Sequence, residues 1–530
     1  MKTPMRMLLL LIIGALLIFN GSSLRKSSDA DKSAELIDET LPPSMQVASI
    51  ALGPMKGLLA DILWWRSERL QDNHEFFEAM QLAEWMTSLQ PTYPSVWGYQ
   101  GFNLAFNISH NFSSVDDRWK WIHAGIKLLR DRGMSYIPDW NNNKELRYEL
   151  MNIFARKMQG LSDPEARRLR DLWTLETLAY FPTGSRQEIE LLAAAPRNAE
   201  LLMKDEGIRK LVEGLKKTDK EFIKMIQENP PTLKDLKADI PQNKTFNNAI
   251  ILAMRYAQRY RIKRDLNLDM DRVIIADDRF GPLDWRTHEA QIMYWGLEDE
   301  FEEYSLKGVN YAHFVREAMI SSFFNGRVVM SENKDYFMRS QNLAILAKVH
   351  DYFDYILFDA LKPNTSEWHK VNNLHKSFIE KAIIITYTYN QKKASKELFD
   401  IFQNDYMKDK KVSFEQFMIR GFTKSLQGGT KTAKKGFVES IVFDAFRNAF
   451  TGEWDRYHGL IKKAKLIHRA YQLKHDGVTA RQLPPFLEIV KSAKSQYEAR
   501  TGKALSNLNE IEKKAEAYKN PKEISIGGQH

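Results

Sequence analysis

The 530-residue chain contains no cysteine. That single absence excludes disulfides, thiolate zinc sites, iron–sulfur clusters and cysteine nucleophiles. Its 12 histidines include no His-Glu-x-x-His pair, so a zincin is excluded at the level of motif. No run of alternating β-branched residues bounded by turns occurs, and strands are therefore not expected. The one long apolar run, Met7 to Phe19, is 13 residues. As a helix it would reach about 20 Å, short of the roughly 30 Å hydrocarbon core of a bilayer. General disorder is excluded by a 43% hydrophobic and 12% aromatic composition, which supplies ample apolar surface for a core.

What is present begins with the surroundings of that run. Lys2 and Arg6 precede it, and Asn20, Gly21, Ser22 and Ser23 follow it. This is the layout of a secretory signal, so residues 1–23 are expected to act as a cleaved signal peptide or an uncleaved signal anchor. The basic amino end orients inward, which places the rest of the chain on the periplasmic side, with the inner membrane reachable through residues 7–19. Residues 24–45, with Arg25, Lys26, several serines and the Pro42–Pro43 pair, read as a polar linker.

The strongest internal signal is a repeat. Leu63, Ser67 and Leu70 are answered 34 residues later by Trp97, Gly101 and Leu104. Ala79, Ala83, Met86 and Pro91 lie between them as the second helix and terminating proline of a helical hairpin. A 34-residue period marks a tetratricopeptide-type unit, which buries its apolar face only by stacking on neighbours. The fold class expected is all-α: a tetratricopeptide-like α-solenoid of stacked helical hairpins behind the N-terminal signal or anchor. Residues 46–160 form the N-terminal repeats, with helices at Leu58 to Leu70, Phe76 to Leu89, Asp116 to Arg130 and Lys144 to Met158.

Residues 161–375 are an irregular helical region, interrupted at Phe181–Pro182, Pro230–Pro231 and Pro241. Helices are expected over Lys204 to Glu228, Thr245 to Leu266, from an Asp284 N-cap to about Trp295, and over Tyr336 to Leu361. Residues 376–505 return to hairpins, turning at Tyr389–Asn390 and at Thr451–Gly452–Glu453. Residues 506–530 read as a flexible polar tail. The tryptophans Trp64, Trp65, Trp85, Trp97, Trp119 and Trp121 mostly fall at helical spacing, which implies core; any left exposed would be candidate anchors.

Charge is uneven. Residues 381–530 carry about +12 of the formal +9, leaving about −3 for the remainder. Lys408, Lys410, Lys411, Lys424, Lys431, Lys434 and Lys435 contribute much of the excess. Such a surface is either a solvated face or a dock for an anionic partner. Export leaves nucleic acid out, so the expected partner is a protein or an anionic envelope component.

An ordered set of segments carries a family likeness. It runs from Leu41–Pro42–Pro43–Ser44–Met45–Gln46–Val47–Ala48 through Leu63–Trp64–Trp65–Arg66 and Gln81–Leu82–Ala83–Glu84–Trp85. It continues with Asn103–Leu104–Ala105–Phe106–Asn107–Ile108–Ser109, Leu128–Leu129–Arg130–Asp131 and Phe280–Gly281–Pro282–Leu283–Asp284–Trp285–Arg286. The set resembles an uncharacterised family of exported tetratricopeptide-like proteins from planctomycete and verrucomicrobial bacteria, over most of residues 41–490. The resemblance implies a helical-repeat protein beyond the inner membrane and brings no activity, ligand or catalytic residue.

Chemistry is sparse. His369 and His375 are six apart, poor spacing for one helix face, and no metal site is expected. Asp265, Asp269, Asp271, Asp277 and Asp278 cluster without the glycine and bidentate glutamate of a calcium loop. Gly428–Gly429–Thr430–Lys431–Thr432 lacks the lysine placement and preceding strand of a phosphate loop. No cofactor and no catalytic residue are expected, and the chain reads as a non-enzymatic scaffold for protein or envelope-component binding. The alternative is an envelope hydrolase of the lytic transglycosylase type acting on cell-wall glycan, for which Glu439–Ser440 supplies a glutamate–serine pair without the segment that builds a sugar groove. Candidate partner-binding residues are Trp285 and Arg286, read either as a turn packed into the core or as a docking surface, and Lys431, Lys434 and Lys435.

Overall fold

A computed structural model describes residues 55–73, 75–160, 164–228, 244–297, 312–331, 336–407, 412–423, 430–474, 482–502, 504–505 and 508–516. The expected signal, the linker, Lys408, Lys410, Lys411 and Lys424 lie outside these residues. Among them the fold is all-α apart from one small hairpin of strands. No helix among them is long and apolar enough to cross a membrane.

The N-terminal part is built as the 34-residue spacing predicts. Helices α1 (Met55–Asp72) and α2 (Phe76–Leu89) pair as a hairpin. Helix α3 (Pro94–Phe102) opens on Pro94, where a missing N–H costs no hydrogen bond, and runs on through a π-helical stretch to Ile108. The Trp97 indole donates to the Pro91 carbonyl at 2.8 Å and closes the preceding turn. Ser67 and Gly101, equivalent in the repeat, are both buried. Helix α4 (Val115–Lys127), also extended by a π-helical stretch, crosses α3 closely. A Cβ on Gly125 would lie 2.8 Å from the Gly101 carbonyl, and one on Gly101 would lie 2.5 Å from Leu129 Cγ. Only hydrogen fits at this crossing. Gly101→Leu is therefore expected to cost about 1–3 kcal/mol by overpacking, read as a lowered melting temperature; an unchanged one would remove the close approach from the account.

The middle departs from a row of hairpins. Helix α5 (Lys144–Met158) matches its expected bounds, and α6 (Pro164–Thr177) and α7 (Arg186–Ala193) follow. The helix expected over 204–228 is two, α9 (Glu206–Gly214) and α10 (Asp219–Glu228), preceded by the short α8 (Ala199–Met203). Lys216 at φ +52° breaks it. These short helices share a small core of Leu202, Ile208, Leu211 and Phe222 with one face of α11 (Lys244–Leu266). Helix α12 (Met270–Phe280) is capped by Asp269, whose carboxylate accepts from Asp271 N at 2.9 Å.

Helix α13 (His288–Trp295) organises the interior, since every one of its eight residues is buried. It packs against α5, and Arg147 of α5 donates to the carbonyls of Trp295 at 2.9 Å and Leu297 at 3.1 Å. A guanidinium thus satisfies the open carbonyls at the end of α13 from a helix nearly 150 residues upstream. In a stack in which each unit touches only its neighbours these two segments would never meet.

Two strands, β1 (Arg327–Met330) and β2 (Phe337–Ser340), pair antiparallel after helix α14 (Ala312–Asn325). Strands were not expected, and the helix foreseen from Tyr336 begins in fact only at Leu346, as α15 (Leu346–Asp354). Four residues are too few to display alternation, and the hairpin is held by side chains from elsewhere. The remainder is hairpins again: α16 (Ser366–Thr388) with α17 (Lys392–Tyr406), then α18 (Phe414–Thr423), α19 (Lys431–Phe450) with α20 (Trp454–Lys474), and α21 (Phe486–Thr501). Both turns foreseen are present, with Asn390 at φ +60° and Gly452 at φ +77°. The segment read as a polar tail contains one more helix, α22 (Leu508–Glu516), which buries Ile511.

Candidate functional site

Asp277, near the end of α12, organises the Gly281–Arg286 segment. Its Oδ1 accepts from Leu283 N at 2.8 Å and Trp285 Nε1 at 3.2 Å, and its Oδ2 pairs with Arg186 at 3.0 Å. Asp284 and Arg286 form a two-point ion pair at 2.8 and 2.7 Å. The same pair grips strand β1: Val328 N donates to Asp284 at 2.8 Å, and Arg286 donates to the Val328 carbonyl at 2.7 Å. Gly184, at φ +62°, passes so close that a Cβ would meet this ion pair.

Two expectations are corrected here. Thr287, not Asp284, caps α13, its hydroxyl accepting from Ala290 N. Trp285 is 0% exposed and Arg286 4%, so neither presents a docking surface. A tryptophan and an arginine in a turn carry the same letters whether they face a partner or the core. The cleft above them, about 440 Å³, is lined by Gly184, Arg186, Arg327, Val329, Asn342 and Glu453 among others. Its cations are already matched: Arg186 by Asp277 and Asp278, Arg327 by Glu453. Little net charge remains there to recruit a ligand.

A second buried pair clamps β2. Arg339 Nη2 donates to Glu289 Oε2, Ser321 donates to Oε1 at 2.9 Å, and His288 Nδ1 lies 2.9 Å from Oε2. Burial alone would raise the Glu289 pKa; Arg339 and His288 overcome it and hold the carboxyl well below the usual carboxylate range. Burial pushes His288 down. A glycosidic general acid needs the opposite shift and access to substrate. Glu289 has neither. Glu439 sits mid-helix on α19 and pairs with Lys435 at 3.2 Å, one turn earlier. The clustered aspartates are taken up by capping and by arginines: Asp269 as cap, Asp265 with Arg264, Asp271 with Arg197 and Arg259, Asp277 and Asp278 with Arg186.

The basic residues fall at the start of α19. Thr430 caps this helix, and Lys431, Lys434 and Lys435 occupy its first turns. Cations at a helix N-terminus oppose its dipole, so this charge does not serve helix stability. Lys434 Nζ lies 5.2 Å over the Tyr471 ring of α20, and Lys462 Nζ lies 4.8 Å over Tyr387. Beside the same stretch of α20 runs an apolar groove of about 310 Å³, lined by Tyr387, Phe414, Met418, Ile419, Leu466 and Leu473 among others, with Glu415 and Arg469 at its edge. Ile419 is 52% and Leu473 66% exposed. Neither residue was singled out in the sequence: the groove's walls come from α16, α18 and α20, and no local period shows which apolar side chain a neighbouring helix will leave uncovered.

Of the tryptophans, Trp97 is core and Trp119 and Trp121 are half-buried, whereas Trp65 and Trp85 stand in solvent. Their helical spacing does not put them in the core, because no helix among the described residues covers that face. His369 is exposed and away from His375. His375 instead meets His350 and Asp354, the one group among the described residues whose ligand atoms converge as a metal would require. Burial, with His350 beside it, pushes His375 down to about 3.

No family model matches the chain, and no curated protein or solved structure matches it either.

Proposed function

We propose that this protein is an exported, periplasm-facing scaffold of tetratricopeptide-like helical hairpins, without an active site, that holds an acidic amphipathic helix of a protein partner in the groove between α18 and α20. The observation that carries this reading is the groove itself. Large apolar side chains, Ile419, Leu466 and Leu473, are left in solvent along one channel, and cations stand around it: Lys462 and Arg469 at its edge, Lys434 on the adjoining face of α20. Exposed apolar surface bounded by charge is the signature of a helix-in-groove interface. The basic rim selects an acidic partner, and its attraction is screened over about 8 Å at physiological salt. The hairpins α1–α2, α16–α17 and α19–α20 support the repeat reading, and Lys2 and Arg6 before Met7–Phe19 support export.

The test measures binding of a fluorescent acidic amphipathic helical peptide by anisotropy at low and high salt. Replacing Lys431, Lys434 and Lys435 by glutamate is expected to weaken binding at low salt and to flatten its salt dependence, with circular dichroism unchanged. Ile419→Ser with Leu473→Ser is expected to weaken it at every salt concentration. Binding by the charge-reversed variant equal to the parent's at low salt would reduce the lysines to a solvated face. Loss of anionic-liposome co-sedimentation in that variant, with peptide binding intact, would assign the surface to lipid instead. A reporter active only outside the cytoplasm, fused after His530, checks the topology; silence from it overturns export.

A further inference from the structure

From the packing of α15 on α16 we infer that this protein binds one zinc-type divalent transition ion through His350, Asp354 and His375. The two histidines are 25 residues apart and meet only because these helices pack together. His350 Nδ1 and His375 Nε2 face each other at 3.4 Å, with the rings stacked at a centroid distance of 5.5 Å and an interplanar angle of 22°. Two imidazole nitrogens bound to one tetrahedral ion at 2.0–2.1 Å each stand about 3.4 Å apart. Asp354 lies one helical turn beyond His350, on the same face. One ligand atom from each of the three residues falls within 4.8 Å of the others. Two histidines and a carboxylate are a donor set that zinc and its first-row neighbours share.

The surroundings argue for more than a chance meeting. His375 Nδ1 lies 2.8 Å from the Tyr406 hydroxyl of α17. A proton on Nδ1, donated to that oxygen, leaves the Nε2 lone pair pointing toward His350, which is how a hydrogen bond on the far ring nitrogen prepares a histidine to ligate. Phe353 stacks on the His375 ring at 4.6 Å and 19°, so the ring plane is held from two sides. The group is also accessible. The His375 side chain is buried, the His350 side chain nearly so, and that of Asp354 is 43% exposed, so an ion can enter from the carboxylate side and keep a position there for water. A bare hydrogen bond between the two histidines would explain the 3.4 Å separation alone. It would not explain the carboxylate one turn away on the open side.

The experiment uses the full chain, stripped with chelator and titrated with zinc against a chromophoric competitor, with cobalt as a spectroscopic stand-in. One ion per chain is expected, with the visible cobalt bands of a low-coordinate nitrogen–oxygen site. Asp354→Asn, at a partly exposed position, should weaken binding at least about tenfold, and His350→Gln about a hundredfold. Tyr406→Phe should weaken it about tenfold while leaving the stoichiometry at one, as the loss of an outer hydrogen bond does. His369→Gln, on the exposed face, should change nothing. Absence of a stoichiometric ion in the parent overturns the inference. So does binding that survives Asp354→Asn and His350→Gln unchanged but falls in His369→Gln, which would assign the ion to surface histidine.

Discussion

Arg286→Ala is expected to destabilise the protein by about 3–5 kcal/mol, although the substituted residue lies in a turn between helices. The size follows from what remains behind. Asp284, itself buried, would keep one backbone N–H, that of Val328 at 2.8 Å, together with that of Arg286 at 3.1 Å, and lose the guanidinium that balances its charge. The Val328 carbonyl would lose its donor from this side chain as well, so the turn and strand β1 come apart together. Chemical denaturation of the variant beside the parent measures the loss. A change below about 1 kcal/mol, accompanied by weaker partner binding, would return Arg286 to the surface and refute the buried clamp. Arg286→Lys should recover only part, because a lysine cannot make the two-point pair.

The second large effect is at β2. Arg339→Met should also cost about 3–5 kcal/mol near neutral pH, since Glu289 is completely buried and Arg339 is its main source of compensating charge. This variant carries a pH signature that a packing defect would lack. In the parent the Glu289 pKa is depressed, so the stability it contributes is present above the unfolded value, about 4.5, and is lost only as pH falls through the still lower folded value. Without Arg339, burial dominates and the folded pKa rises above the unfolded one. The penalty then applies at neutral pH and is relieved as pH falls through that raised value. The stability gap between parent and variant should therefore narrow on acidification from pH 7 toward pH 5. A gap that stays constant over this range would mean that Glu289 is not ionised in the fold.

The two pairs together account for the β-hairpin that sequence reasoning missed. Arg327–Met330 and Phe337–Ser340 are too short to show a two-residue period, and they are held as strands by Asp284, Arg286 and Glu289. The same distance effect hid His350 from His375 and left the groove residues Ile419 and Leu473 unremarked. It also let Trp285 and Arg286 pass as interface candidates when both are interior. By contrast Lys144–Met158 was legible to the residue, as were the Pro91–Pro94 turn and the turns at Asn390 and Gly452. Each of these is decided by residues within a few positions of one another.

By itself the sequence determined the absence of thiol chemistry, the helices and most of their ends, the close crossing at Gly101 and the concentration of positive charge in the C-terminal third. Helices form through bonds four residues apart and end on caps and prolines that can be read in place. Tertiary structure alone decided which polar residues became interior, which apolar ones were left in solvent and which histidines meet. Those outcomes depend on helices up to 150 residues apart packing side by side, and a burial or a juxtaposition made across that distance leaves no period along the chain.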